Sequence, residues 1–279
     1  MIAKIFSGII LICLVADASA STWGYGGHGI DPLSWANDFK LCGGKKQSPI
    51  DIVTANMIHI PNMSPLVFTG TPSGGCTLIN TGHAVQCTLD PTFSYSVTGG
   101  PFSYNYRLGQ FHVHFGSDAT KGSEHRLNGR AFAAEVHFVF YNSDMYLSIT
   151  DAADNANGLA VIGGLVDLHA KHHNEFDKIA NNAQYVKYAG DTHYIANFDV
   201  SKLMPHHQYY ATYAGSLTTP TCDESVTWVV LNNHIHATDA QLNKLRTQVY
   251  TGDAIDPGVL MVNNFRPAQP LNARRVFFN

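Results

Sequence analysis

Alternation with a period of two dominates the hydrophobic pattern of this chain. Phe102 to Tyr106, Phe111 to Phe115, Phe132 to Tyr141 and Val226 to Leu231 are short alternating or apolar segments separated by Gly, Pro, Asn and Asp, which read as β-strands. Helical spacing is scarcer. Leu159 to His172 and Thr238 to Val249 are the helical candidates, the latter with Thr238 three residues before Gln241, the spacing of a capping box. Strands and helices do not alternate regularly, which disfavours a parallel α/β fold. The pattern predicts a mostly β (α+β) chain, one sheet-dominated domain with short peripheral helices.

On two of these segments the polar face carries candidate chemistry. In Gln110-Phe-His-Val-His-Phe-Gly116, Gln110, His112 and His114 point one way while Phe111, Val113 and Phe115 point the other. Farther along, Ala133, Glu135, His137, Val139 and Tyr141 share one face, with Phe132, Ala134, Val136, Phe138 and Phe140 opposite. The connection between them, "GSDATKGSEHRLNG", contains three glycines and suits a return to a neighbouring strand. Side by side, two such strands present three imidazoles to one ion, the number of protein ligands that a catalytic zinc takes. Gln110 and Glu135, each two residues before a histidine on its own face, are placed to accept the second ring N–H. His234-Ile-His236 repeats the spacing without same-face polar companions or a third partner, and reads as structural or surface. The adjacent pairs His172-His173 and His206-His207 read as solvated. The zinc-peptidase motif HExxH is absent.

Composition narrows the classes. With 279 residues and 45% hydrophobic composition, the chain can bury a large core. Only 14% of residues are charged, the net charge is -4 and no basic run occurs, which weighs against a nucleic-acid partner. The opening MIAKIFSGIILICLVADASA has a lysine, an apolar run and a terminal Ala18-Ser19-Ala20, the form of a signal peptide over 1-20, with the mature domain at 21-279. Ile5 to Ala16 is too short for a membrane span, which needs about 20 apolar residues. The expectation is a secreted, extracellular protein with no membrane anchor. Cys42, Cys76, Cys87 and Cys222 then remain, and three pairings are open. Cys76 and Cys87 flank a hairpin around Thr81-Gly82. A two-residue turn sets them opposite one another, whereas a four-residue turn leaves them about 7–8 Å apart on a diagonal, beyond comfortable disulfide reach. Asn62-Met63-Ser64 is a lone glycosylation sequon followed by Pro65.

Eight stretches in order, "WGYG" at Trp23, "QSPIDI" at Gln47, "NTGHA" at Asn80, "QFHVHFG" at Gln110, "GSEH" at Gly122, "AAEVHFV" at Ala133, "GSLTTP" at Gly215 and "NNFRPAQPL" at Asn263, resemble the alpha-class carbonic anhydrases, in their secreted type. The resemblance implies a single domain built on a large twisted, mostly antiparallel sheet of about ten strands, with a conical cavity reaching Zn(2+). It implies reversible hydration of carbon dioxide to bicarbonate and a proton, by zinc-bound hydroxide with a histidine proton shuttle, and inhibition by sulfonamides. Under it His112, His114 and His137 are the zinc ligands. Gln110, Glu135 and the backbone carbonyl of Asn264 support them. Thr218 orients the hydroxide and donates to Glu124, and His83 is the shuttle. Val139, Val161, Leu217 and Trp228 match the apolar wall for carbon dioxide, and Thr219 matches a bicarbonate contact. Tyr25, Thr81 and Gln86 match the positions that order water toward the shuttle, although the family often carries Asn at the last two. Phe115 and Phe265 stand where Trp is common. Cys42 and Cys222 match the paired cysteines of exported members, which leaves Cys76 and Cys87 as a second bridge or as free thiols.

Overall fold

The structure is a computed structural model that describes residues 23–26 and 29–279; the signal segment expected over 1-20 lies outside the described residues. In chain order the strands are β1 (Asp51–Ile52), β2 (Ile58–His59), β3 (Leu66–Thr69), β4 (Ser73–Asn80), β5 (Val85–Leu89), β6 (Ser96–Gly99), β7 (Phe102–Phe115) and β8 (Arg126–Leu127). They continue as β9 (Ala134–Asn142), β10 (Leu159–Leu168), β11 (Thr192–Asp199), β12 (Tyr210–Gly215), β13 (Val226–Leu231), β14 (Ile235–Ala237) and β15 (Phe277–Phe278). The helices are short: α1 (Trp35–Asp38), α2 (Ile149–Ala152), α3 (Asn174–Asn182), α4 (Val200–Leu203) and α5 (Asp239–Gln248). Among the described residues thirteen strands form one sheet, ten of them along the path β11-β4-β5-β7-β9-β10-β13-β12-β15-β2, with β14 beside β10, β6 beside β7 and β3 beside β6. Most neighbours are antiparallel; β13 and β14 run parallel to β10, and β15 parallel to β2.

The alternation read from sequence places both cores. Phe111, Val113 and Phe115 of β7 join Val136, Phe138 and Phe140 of β9 in the larger apolar cluster. Val139, Val161 and Trp228 fill a second cluster on the other side of the sheet. The two segments read at Phe102 and Phe111 are one strand, β7, with a register irregularity between Leu108 and Gln110 against β9. Phe132 belongs to the second cluster rather than the first, because β9 begins at Ala134 and the pleat does not extend back to it.

Two expectations are corrected. Leu159 to His172 is not a helix: its first ten residues form β10, and the first eight of these are buried. A strand held between β9 and β13 and covered on both faces shows no polar alternation, so its apolar run resembles a buried helix segment. At the β4–β5 hairpin Asn80 pairs with Val85, leaving a four-residue connection, and Cys76 faces Leu89 rather than Cys87. The two cysteines are nonetheless bridged, with Cα atoms 5.8 Å apart. Right-handed strand twist draws one diagonal of an antiparallel pair together, which the flat-ladder spacing ignored.

Cys42 and Cys222 form the other disulfide, at a Cα separation of 4.9 Å. Two bridges suit an oxidising compartment. No helix among the described residues is long and apolar enough to cross a membrane. The expected helix after Thr238 is present as α5, and its capping box is closed: Gln241 N–H donates to Thr238 Oγ1 at 3.2 Å, and Thr238 N–H donates to Gln241 Oε1 at 2.9 Å.

Candidate metal centre

Strand register assembles the histidines. His112 on β7 lies directly opposite His137 on β9, and His114 lies opposite Glu135. One ligand nitrogen from each of His112, His114 and His137 lies within 4.8 Å of the others. Each ring's remaining nitrogen meets an acceptor. His112 Nδ1 is 3.0 Å from Gln110 Oε1, His114 Nδ1 is 2.6 Å from the Asn264 carbonyl, and His137 Nε2 is 2.8 Å from Glu135 Oε1. A neutral imidazole carries one proton, so a ring that donates it outward turns a lone pair inward.

That tautomer assignment has a consequence at the centre. His114 Nε2 and His137 Nδ1 face each other at 3.1 Å, and with both protons committed elsewhere neither has one to share. Two lone pairs at that distance repel unless a cation lies between them. Glu124 Oε2, buried and without a hydrogen-bond partner, stands 3.5 Å from His114 Nε2 and 3.8 Å from His137 Nδ1. Three inward lone pairs and an unpartnered carboxylate oxygen fit a metal ion. Burial, reinforced by the neighbouring rings, holds His112 well below the ordinary imidazole range, and burial brings His114 to about 4. Burial also lowers His137, against the pull of Glu135. All three are therefore neutral at physiological pH, and rings in that state would leave a bound cation its full charge.

The carboxylates are held differently. Burial pushes Glu124 up to about 7, opposed by His137, by the backbone N–H of Arg266 and by the Thr218 hydroxyl. That hydroxyl is near enough to favour the carboxylate but is not in bonding geometry. Burial also works against ionisation of Glu135, yet His125 and His137 hold its carboxyl well below the ordinary glutamate value. Its Oε2 accepts the backbone N–H groups of Glu124 and His125 at 2.9 and 2.8 Å, and its Oε1 takes His125 Nδ1 at 2.7 Å beside His137. These are hydrogen-bond lengths to one oxygen, so His125, Glu135 and His137 form a proton-linked cluster rather than a second metal triad.

Periodicity did not reveal the chain behind Glu135. His125 Nε2 lies 2.6 Å from the Tyr213 hydroxyl, which lies 2.9 Å from Ser48 Oγ. His125 sits in the connection between strands, where no pleat assigns it a face, although it ends the "GSEH" stretch. Arg266 was missed as well. It is 2% exposed, and its backbone N–H and terminal guanidinium nitrogens are partnered while Nε is not. Its N–H donates to Glu124 Oε1 at 2.7 Å, and its guanidinium donates to Gln47 Oε1, the Ser48 carbonyl and the Cys42 carbonyl at 2.8, 2.9 and 2.9 Å.

The remaining expected residues fall around this core. Val161 pairs with Val139 on one side and with Trp228 on the other, and half-buried Leu217 packs on the same cluster. Trp228 Nε1 donates to the Ser216 carbonyl at 3.0 Å, which fixes the segment bearing Leu217, buried Thr218 and half-buried Thr219. Gln86 lies opposite His112 on β5. Thr81 is exposed, and its hydroxyl is used by its own turn, accepting from Ala84 N–H at 3.0 Å and donating to the Ala84 carbonyl at 3.1 Å. Tyr25 packs at an angle to Trp35, and burial raises its hydroxyl well above the usual value. His83 stacks on Trp23 with ring centroids 3.7 Å apart, and burial lowers it to about 4. Asn264 joins the shuttle candidate to the strand bearing His112 and His114: its side chain donates to the His83 carbonyl at 3.0 Å and to the Val113 carbonyl at 3.1 Å, and accepts from Phe115 N–H at 2.8 Å.

The family model of eukaryotic-type carbonic anhydrase matches residues 30–279. The chain belongs to that family. It is 36% identical to Carbonic anhydrase 7 of Homo sapiens over 255 residues, covering 91% of this chain and 96% of the relative. It is also 36% identical to Carbonic anhydrase 1 of Mus musculus over 259 residues (92% and 98% covered) and to Carbonic anhydrase 3 of Bos taurus over 258 residues (92% and 98% covered). Membership makes the chain an enzyme of a zinc-dependent family that hydrates carbon dioxide.

One glycine guards the histidine cluster of this carbonic anhydrase. A Cβ on Gly163, which pairs with His137, would lie 2.9 Å from Glu135 Oε1. Gly163→Ala is expected to displace the Glu135 carboxylate and weaken metal retention about 10–100-fold, the cost of losing a ligand's orienting partner. Dialysis against a graded chelator series checks this; retention equal to the parent would show that the carboxylate moves without cost.

Proposed function

We propose that this enzyme is a secreted, zinc-dependent carbonic anhydrase in which His112, His114 and His137 hold the metal. The observation that carries the reading is the pair of lone-pair nitrogens on His114 and His137, turned toward each other at 3.1 Å. Zinc in such a site acts as a Lewis acid and brings the pKa of water to about 7, a value general to carbonic anhydrase zinc.

The chain's own groups do the rest. A small movement that brings the Thr218 hydroxyl into bonding geometry lets it donate to Glu124 Oε2 and accept from the incoming nucleophile, so that the nucleophile's lone pair faces the gas. Glu124 is held for this by the Arg266 N–H at 2.7 Å. Val139, Val161, Leu217 and Trp228 form one apolar cluster that receives carbon dioxide and admits no competing hydrogen bond. Thr219 contacts bicarbonate before it leaves. Tyr25 and Gln86 order water toward His83. Export as a soluble chain is supported by the signal-like opening and by the two disulfides.

Zinc per chain, with carbon dioxide hydration measured with and without a sulfonamide, tests the reading. About one zinc and sulfonamide-sensitive hydration are expected; bound zinc without such hydration would overturn it. His83 adds a second test. Stacked on Trp23 it is too weak a base to accept a proton at neutral pH, since a shuttle works best near the ambient value. Proton transfer therefore requires the ring to swing off the indole toward solvent, where about 6.5 is ordinary. His83→Ala is expected to lower turnover in weak buffer with zinc content unchanged, and added imidazole to restore part of it. Unchanged turnover in weak buffer would remove His83 from the pathway.

A further inference from the structure

We propose that the cavity bordered by His206, His207, His234 and His236 is a second site for a divalent transition-metal ion, exchangeable and separate from the triad of His112, His114 and His137. The cavity has a volume of about 360 Å³ and lies between the segment following α4 and strand β14. The sequence pattern set His234 aside for want of a polar companion, but the fold supplies one from another strand. His234 Nδ1 is 3.2 Å from Asp167 Oδ2, and the other carboxylate oxygen accepts Arg130 Nη2 at 2.8 Å. Asp167 sits on β10 in register with His236 on β14. A carboxylate that takes the Nδ1 proton leaves Nε2 with its lone pair and fixes the ring plane, the arrangement used by metal-bound histidines.

The other rings sort by what their nitrogens already do. His173 also borders the cavity, but its Nδ1 accepts the Phe176 N–H at 3.3 Å to cap α3, so its proton sits on Nε2 and it is no ligand. His169, stacked on His236 at 5.0 Å, is excluded likewise because its Nδ1 accepts from Lys171 N–H at 3.0 Å. On the opposite wall His206 is exposed, and its carbonyl accepts Asn233 Nδ2 at 3.0 Å, which ties that loop to the residue preceding His234.

Charge decides between a metal and an anion. Lys202, the one ammonium among the described residues on the wall, is paired with Asp199 at 3.0 Å. Imidazoles without a carboxylate cage suit zinc, copper or nickel rather than calcium or magnesium. Among the described residues no three ring nitrogens here converge as those of the first triad do. The ion is accordingly held by two rings, with water completing its shell, and it exchanges.

Equilibrium dialysis of the full chain against rising Zn2+ alone tests this. The parent is expected to take up one ion that survives a chelator wash and a second that does not. Asp167→Asn should weaken the second about 10–100-fold. His234→Ala with His236→Ala should abolish it while the retained ion and carbon dioxide hydration match the parent. His206→Ala with His207→Ala, on the loop side, repeats the test without altering β14. His137→Ala should do the converse, losing the retained ion and keeping the exchangeable one, so failure of the first site is distinguishable from failure of the second. Saturation at a single ion, or a second ion that persists in both double variants, overturns the proposal.

Discussion

His114→Ala is expected to strip the enzyme of its retained zinc and to lower carbon dioxide hydration by well over about 100-fold. The floor comes from comparison: losing only a ligand's orienting partner costs about 10–100-fold in metal affinity or activity, and here the ligand itself goes. Of the three rings His114 is the most informative to remove, because it is 1% exposed and its Nδ1 proton is held by the Asn264 carbonyl at 2.6 Å. That acceptor is backbone, so no side-chain change at position 264 imitates the loss. Asn264→Ala should instead leave zinc bound and disturb the neighbourhood of His83, whose carbonyl the Asn264 amide holds. Metal analysis after dialysis, with stopped-flow hydration of both variants, separates the two effects. Full activity in His114→Ala would mean that the converging nitrogens are an accident of packing.

The ease of reading this centre varied with how each residue is positioned. His112, His114 and His137, with Gln110 and Glu135, were legible because they lie on pleated strands where spacing dictates the face, and the register then sets His112 opposite His137. Glu124, Thr218 and Asn264 come from connections, and only the resemblance pointed to them. His125 and Arg266 lie in family-like stretches, but no periodicity marked them or Tyr213; their roles depend on partners 10, 165 and 142 residues away, which for His125, Tyr213 and Arg266 are Glu135, Ser48 and Glu124 in turn. The same limit hid Asp167 from His234, since a companion on a neighbouring strand leaves no mark in local spacing. In the fold, alternation identified β7, β9 and β13 but not β10, where burial on both faces erased the signal.

The chain behind Glu135 is where stability and catalysis meet, and His125→Leu tests it. In the neutral tautomer that the network assigns, Ser48 Oγ–H donates to Tyr213, Tyr213 donates to His125 Nε2, and His125 Nδ1–H donates to Glu135. Burial raises Tyr213 strongly, which keeps its hydroxyl a donor. Leucine at 125 leaves the Tyr213 proton and one site on a buried carboxylate without partners, a class of loss that costs about 3–5 kcal/mol. Against a total stability of about 5–15 kcal/mol this is a large share, and it lowers Tm by roughly 6–20 °C. The pH dependence has a definite sign. Because Glu135 is held below its ordinary 4.5 in the folded state, its contribution is present above that value and disappears as pH falls through the lowered one. The variant, with less lowering, should therefore differ most from the parent near neutrality and least in strong acid. His125→Gln can donate to Glu135 and accept from Tyr213, and should recover part of the Tm. Calorimetry of the three proteins across that range decides the matter: a leucine variant within about 2 °C of the parent, less than 1 kcal/mol for a domain of this size, would show that Glu135 is carried by His137 and the two backbone N–H groups alone.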